Sequence, residues 1–220
     1  LTFGTVTNAT PGETAAHTLT INDNDATGPT VNWIAATQPD VAEGTVGVTV
    51  SAILSGELAT EDIVLNYTVE GTSDGSDHTA SDGTLALNLG DPIGTTATVT
   101  FNVQVDGLYE GDETIVISLT DVPVGNAKLG STVIHTVTIT DADSLPSVRL
   151  TKETVTVGEA VGTVTVTATL NAVSGLDATV PFAITGSAIF PADHSAEGGS
   201  ILIPAGILTG SYTFSVVDDS

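Results

Sequence analysis

Apolar residues along this chain recur at every second position, in short runs separated by clusters of Gly, Pro, Asp, Ser and Asn. Alternation with a period of two puts one face of an extended segment in a core and the other in water. Across residues 29–143 it predicts seven strands: A about 30–36, B 45–54, C 63–69, D 84–88, E 97–105, F 114–120 and G 132–140. Val46, Val48 and Val50 alternate on B, and Ile63, Leu65, Tyr67 and Val69 on C. Val99, Phe101, Val103 and Val105 alternate on E; Ile115, Ile117 and Leu119 on F; Val137 and Ile139 on G. No segment sustains the i, i+3, i+4, i+7 recurrence of a helix, and the abundant Val and Thr suit a pleated sheet. Seven short strands in about 115 residues, broken by turn signals, predict an all-β chain built from immunoglobulin-like Greek-key β-sandwiches.

The pattern repeats. Leu1–Asp25 aligns without a gap on Leu119–Asp143 at an offset of 118, pairing His17 with His135, Ile21 with Ile139, Asp23 with Asp141 and Asp25 with Asp143. Pro29-Thr30-Val31 matches Pro146-Ser147-Val148, and Glu43-Gly44 matches Glu159-Ala160. Asp77-His78 matches Asp193-His194, and Phe101 to Asp106 matches Phe214 to Asp219. Residues 1–25 therefore read as the end of one repeat, 29–143 as a complete one and 146–220 as the first part of a third. The linkers between them are short and contain Pro, so neighbouring repeats should be closely coupled. The opening Leu1-Thr2-Phe3-Gly4 reads as the interior of a domain, as in a segment of a longer protein.

Charge sharpens this picture. Asp and Glu number 27 against 3 Lys and Arg, for a formal net charge of −24. Such a surface repels nucleic acid and anionic lipid, and no apolar run is long enough to insert in a membrane, so neither is an expected partner. The chain has no Cys, which removes disulfides and thiol chemistry. In a sandwich, loops AB, CD and EF share one pole with the end of strand G. Of the 17 acids in residues 29–143, 12 fall at that pole: Asp40, Glu43, Glu70, Asp74, Asp77, Asp82, Asp106, Glu110, Asp112, Glu113, Asp141 and Asp143. Only Glu57, Glu61, Asp62, Asp91 and Asp121 fall at the other. A generic salt-adapted surface predicts rough equality between poles with similar loop lengths, so the skew argues for a site.

Many hard oxygen ligands, with no Cys and few His, select Ca²⁺ over Zn²⁺ or copper. No EF-hand spacing is present, so the site would be assembled across loops. Four carboxylates lie between Val105 and Thr114, where pairs at about 5 Å cost roughly 3 kcal/mol each at an effective dielectric near 20. A cation would offset that cost; the plainer reading is a solvated acidic turn.

Glu43-Gly44, Ser76-Asp77-His78, Asp106 with Tyr109-Glu110-Gly111-Asp112-Glu113-Thr114, and Ile139-Thr140-Asp141-Ala142-Asp143 together resemble the Calx-β repeat. That family of calcium-binding sandwiches occurs in sodium–calcium exchangers, integrin β4 and large bacterial surface proteins. The resemblance covers nearly the whole chain in three registers. It implies calcium ligands at Glu43, Asp77, Asp106, Glu110, Glu113, Asp141 and Asp143, with partial sets at Asp23 and Asp25 and at Glu159, Asp193, Asp218 and Asp219. Three departures stand out: Val105 lacks the usual first Asp of a pair, Ala142 replaces a central Asp, and His78 stands where Tyr is usual. The first two remove ligands and imply fewer ions or weaker binding.

No residue is expected to be catalytic and no organic cofactor is expected. The four His recur in register and read as structural. Asp77-His78 beside Ser76 cannot form a hydrolytic relay, because adjacent residues do not supply nucleophile, base and orienter. Tyr109 reads as a buried hydroxyl tying the E–F corner, and Trp33 as core. The expected function is a calcium-binding structural or adhesive module. Ca²⁺ would stiffen a tandem array in an extracellular or cell-surface protein, with neighbouring repeats and cell-surface or matrix proteins as partners. The alternatives are a calcium-sensing domain of an exchanger-like membrane protein and a salt-adapted repeat without specific binding.

Overall fold

A computed structural model describes residues 2, 4–10, 12–13, 16–20 and 28–219. In the second repeat, β1 (Thr30–Trp33), β3 (Val48–Ser55), β6 (Thr96–Phe101) and β8 (Lys128–Leu129) form one sheet in the order β6-β3-β1-β8. The facing sheet has the order β2-β9-β7-β4-β5, from β2 (Val41–Ala42), β9 (Ile134–Thr140), β7 (Glu113–Val124), β4 (Ile63–Gly71) and β5 (Gly83–Leu87). This is the expected all-β, immunoglobulin-like sandwich. Its core takes most of the alternating positions, Val50, Ile63, Leu65, Ile115, Ile117 and Val137, together with Trp33, Val31 and Leu54, each at most 2% exposed. The Trp33 indole N–H donates to the Val133 carbonyl at 3.0 Å, which satisfies its one polar atom inside the core.

Strand A departs from expectation. It leaves the first sheet after Trp33, and the chain rejoins the structure in the other sheet as β2, parallel to β9. Pro39, which has no N–H to give a ladder, lies in the crossover. Strand B begins at Val48 rather than 45: residues 42–45 form a turn closed by the Thr45 hydroxyl on the Ala42 carbonyl at 2.6 Å, with Gly44 at φ +76°. Val46 consequently points into solvent, 78% exposed. Strand E ends at Phe101; Val103 makes an isolated bridge to His78, and Val105 is 63% exposed in the loop.

The third repeat follows the same plan in β10 (Val148–Leu150), β11 (Thr163–Leu170), β12 (Ala178–Phe182), β13 (Gly199–Ile203) and β14 (Thr209–Ser215). Its sheets are β10-β11-β14 and β12-β13, closed on Ala168, Leu170, Ile201 and Ile203. Among the described residues no helix is long and apolar enough to cross a membrane.

Candidate metal centre

Antiparallel connections bring the 42–45 turn, loop 72–82, loop 102–112 and the end of β9 to one pole. Two groups of carboxylates converge there, each with one oxygen per residue within 4.8 Å of the others: Glu43, Asp106 and Asp143, and Asp77, Asp106 and Glu110. Asp106 belongs to both. Residues separated by up to 100 positions meet because the sandwich returns each loop to the same end.

The backbone positions them. The Glu43 N–H donates to the Thr140 carbonyl at 3.3 Å, and the Gln104 N–H to the Asp77 carbonyl at 2.7 Å. The Leu108 N–H donates to Asp106 Oδ1 at 2.8 Å, forming an Asx turn that fixes the Asp106 side chain. Asp74 accepts bonds from both the N–H and the hydroxyl of Ser76, which hold its carboxyl below the usual range.

Asp141 has a distinct place. Its Oδ2 accepts the N–H groups of Glu110 at 2.8 Å and Gly111 at 2.7 Å, and its Oδ1 accepts the Asp143 N–H at 2.7 Å. Burial pushes its carboxyl up, yet the N–H groups of Asp143, Gly111 and Glu110 outweigh burial and leave it below the usual range. Asp141 is therefore the clasp joining the end of β9 to the E–F corner. The Asp141 N–H in turn donates to Asp112 Oδ1 at 3.3 Å. A sequence pattern of acids does not distinguish such a clasp from a ligand.

Three glutamates of this pole are raised. Burial, then the charges of Asp141, Asp143 and Asp106, push the Glu43 carboxyl up against the opposing pull of the Ala142 N–H. Burial and the charges of Asp106, Asp77, Asp74 and Glu43 raise Glu110. Glu113 is pushed up to about 7 by burial, by the Asp77 charge and a shared hydrogen bond with Asp77, and then by Glu110 and Asp74. Glu43 Oε2 and Asp143 Oδ2 are buried with no hydrogen-bond partner. Buried, unpartnered carboxylate oxygens that face one another are costly unless a cation joins them. The donor set is all oxygen and comes from several loops, which fits Ca²⁺.

Glu113 sits beside Asp77, outside the two convergent groups. Asp23 and Asp25 lie outside the described residues. In the third repeat Glu159, Asp218 and Asp219 are exposed and Asp193 is half-buried, its Oδ2 accepting the Ile189 N–H at 2.6 Å. None of these four joins a convergent group among the described residues. His135 is structural: 4% exposed, with Nδ1 2.7 Å from the Ala35 carbonyl and Nε2 3.2 Å from Gln38 Oε1. His78 is buried against Phe101. Tyr109 is half-buried, and the contact it makes across the corner is a backbone one: its carbonyl accepts the Gly175 N–H of the third repeat at 3.0 Å.

A family model of the Calx-beta domain matches residues 23–143 and again 141–220. The chain belongs to the Calx-beta domain family. Among solved structures it is similar to CBD12 from CALX1.2, at 18% identity and a TM-score of 0.46, covering 84% of this chain and 74% of that one. It is also similar to the calcium binding domain CBD12 of CALX1.1, at 20% identity and TM-score 0.44, covering 86% and 76%. The apo form of the Calx CBD1 domain matches at 25% identity and TM-score 0.44 over 52% of this chain and 98% of that one. No curated protein matches the chain.

Proposed function

We propose that this chain is a calcium-binding structural module in which Ca²⁺, held at the acidic pole of the second repeat, stabilises that sandwich and stiffens its connection to the next. Glu43, Asp106 and Asp143 would hold one ion, and Asp77, Asp106 and Glu110 a second position sharing Asp106. The observation that carries the reading is the pair of buried, unpartnered oxygens on Glu43 and Asp143, set against Asp106. A merely solvated acidic surface would turn those oxygens to water. The ion supplies charge neutralisation and ligand geometry. Asp143 lies three residues before Pro146, so fixing it also fixes the last residues ahead of the linker.

In this reading the protein is not an enzyme. It works as part of a tandem array on an extracellular or cell-surface protein, where millimolar calcium suits a site with few ligands. Its partners are calcium ions, neighbouring repeats and adhesive or matrix proteins. Titration calorimetry on the full chain tests the binding, with thermal unfolding in Ca²⁺, Mg²⁺ and chelator alongside. A site at 100 times its Kd adds about 2.7 kcal/mol, and Mg²⁺ should add far less. Equal melting in Ca²⁺ and chelator, with no heat of binding, overturns the reading and leaves a salt-adapted repeat.

A further inference from the structure

We infer that the loop between β11 and β12, residues 171–175, is a docking clamp that grips the E–F corner of the second repeat and sets the angle between the second and third repeats. The contact is made of protein atoms on both sides. The Gly175 N–H donates to the Tyr109 carbonyl at 3.0 Å, and Ser174 Oγ donates to the same oxygen at 3.2 Å. Ser174 is 5% exposed, and its Oγ also accepts the Leu176 N–H at 3.0 Å, so the hydroxyl is satisfied in both roles. Swinging the repeats apart breaks both of these bonds together and trades them for bonds to water, and that loss favours the docked angle.

The other end of the loop is anchored to the first residues of the third repeat. Asn171 Oδ1 accepts the Ser147 N–H at 2.6 Å, and the Asn171 N–H donates to the Ser147 carbonyl at 3.0 Å. One short loop thus fixes the chain entering the third repeat and the corner of the repeat before it. Rotation about the linker keeps the first of these contacts and breaks the second. Gly175 also has a steric role: a Cβ there would overlap Glu110 Oε1, so the glycine makes room for the Glu110 side chain against the loop.

The sandwich itself does not demand this loop. In the second repeat the Gly90 N–H donates to the Ala59 carbonyl at 2.9 Å, as the Gly206 N–H does to the Ser174 carbonyl at 2.8 Å. Asp62 Oδ1 accepts the Leu89 N–H, as Asp177 Oδ1 accepts the Ala205 N–H. Ala59-Thr60 therefore stands where Ser174-Gly175 stands, without the hydroxyl and with the extra Cβ. The same fold closes this loop with either pair, so Ser174-Gly175 is a feature of the joint rather than of the sandwich.

The test uses the full chain, whose lack of Cys allows two labels without background. Exposed Thr100 and Thr179, one on each repeat, are replaced by Cys, labelled with nitroxides and measured by double electron–electron resonance. The loop swap Ser174→Ala with Gly175→Thr installs residues that the fold already carries at this place; Ser174→Ala alone is the second variant. The parent should give one narrow distance distribution in chelator and in saturating Ca²⁺, and the swap should lose the narrow peak in both. Circular dichroism should show both variants folded. Variants whose distributions superimpose on the parent's overturn the clamp. A parent distribution that is narrow only with Ca²⁺, and indifferent to the swap, overturns it too and assigns the angle to the ion. Because the readout does not require the metal, calorimetry without heat would defeat the calcium reading and leave this result standing.

Discussion

Glu113→Gln should stabilise the metal-free protein at neutral pH and reduce its pH dependence between about 5.5 and 7.5. The Glu113 carboxyl is pushed up to about 7, from an ordinary value of 4.5, by burial first and Asp77 next. A carboxyl raised in the folded state binds its proton more tightly there than in the unfolded chain. The stability it contributes is full below about 4.5 and is lost as pH rises through about 7. A displacement of about 2.5 pH units corresponds to a ceiling of about 3.4 kcal/mol. The side chain is half-buried, and solvent screening brings the expected effect to about 1 kcal/mol. That is a change in Tm of about 4 °C for a domain of this size. Asp141 has the opposite sign, since its lowered carboxyl contributes stability above its ordinary 3.8 that is lost on further acidification, so the chosen window lies clear of it. Trp33 is the chain's one tryptophan and is 1% exposed in the second-repeat core, so its fluorescence reports that unit's unfolding. In chelator the wild-type Tm should fall as pH rises from about 5.5 to 7.5, and the Gln variant should fall less steeply, since only the raised Glu43 and Glu110 remain. A wild-type Tm that rises over this range, or a variant with the same slope, refutes the reasoning.

Two further predictions use the same assay. Glu43→Gln should raise the chelator Tm by a few degrees, since it relieves repulsion from Asp141, Asp143 and Asp106, and should weaken Ca²⁺ binding at least about tenfold in calorimetry. Ile117→Ala, at a fully buried position facing Trp33's core, should cost about 2–5 kcal/mol with and without calcium, read as an earlier loss of the Trp33 signal.

The alternation of Ile115, Ile117 and Leu119 and of Val137 and Ile139 made β7 and β9 legible from sequence, because each has one face in the core. Val46 and Val105 carried the same pattern and misled, since turns on either side remove them from the ladder. The pairing that defines β2 was invisible for another reason. Two residues show no periodicity, and only the crossover around Pro39 reveals that strand A serves both sheets. In the site, Glu43, Asp106 and Asp143 were legible through their family motif, and the fold brings them together. The role of Asp141 was not, because it depends on where the N–H groups of residues 110 and 111 point. Ser174 and Gly175 carried no signal in a single repeat; only the comparison with Ala59 and Thr60 gives them one.

Asp141 exposes how a pole so crowded with carboxylates holds together. None of the groups that shift Glu43, Glu110, Glu113 or Asp141 is a lysine or arginine. Carboxylates at about 5 Å repel by roughly 3 kcal/mol per pair at an effective dielectric near 20. Compensation then comes from backbone N–H groups, from hydroxyls or from a bound cation, and these sources fall on different oxygens. Asp141 takes three N–H groups, whereas Glu43 Oε2 and Asp143 Oδ2 have none. Removing a charge should therefore act in opposite directions at the two places. Asp141→Asn leaves one oxygen where two were accepting and turns an NH₂ toward an N–H. It should cost about 1–2 kcal/mol in chelator, the range for a buried donor left without its acceptor, where Glu43→Gln stabilises. Chelator melts of the two variants side by side, followed at Trp33, read the difference directly. If Asp141→Asn were stabilising in chelator like Glu43→Gln, repulsion would dominate at the clasp as well. Asp141 would then be one more charge awaiting an ion rather than the residue that orders the corner.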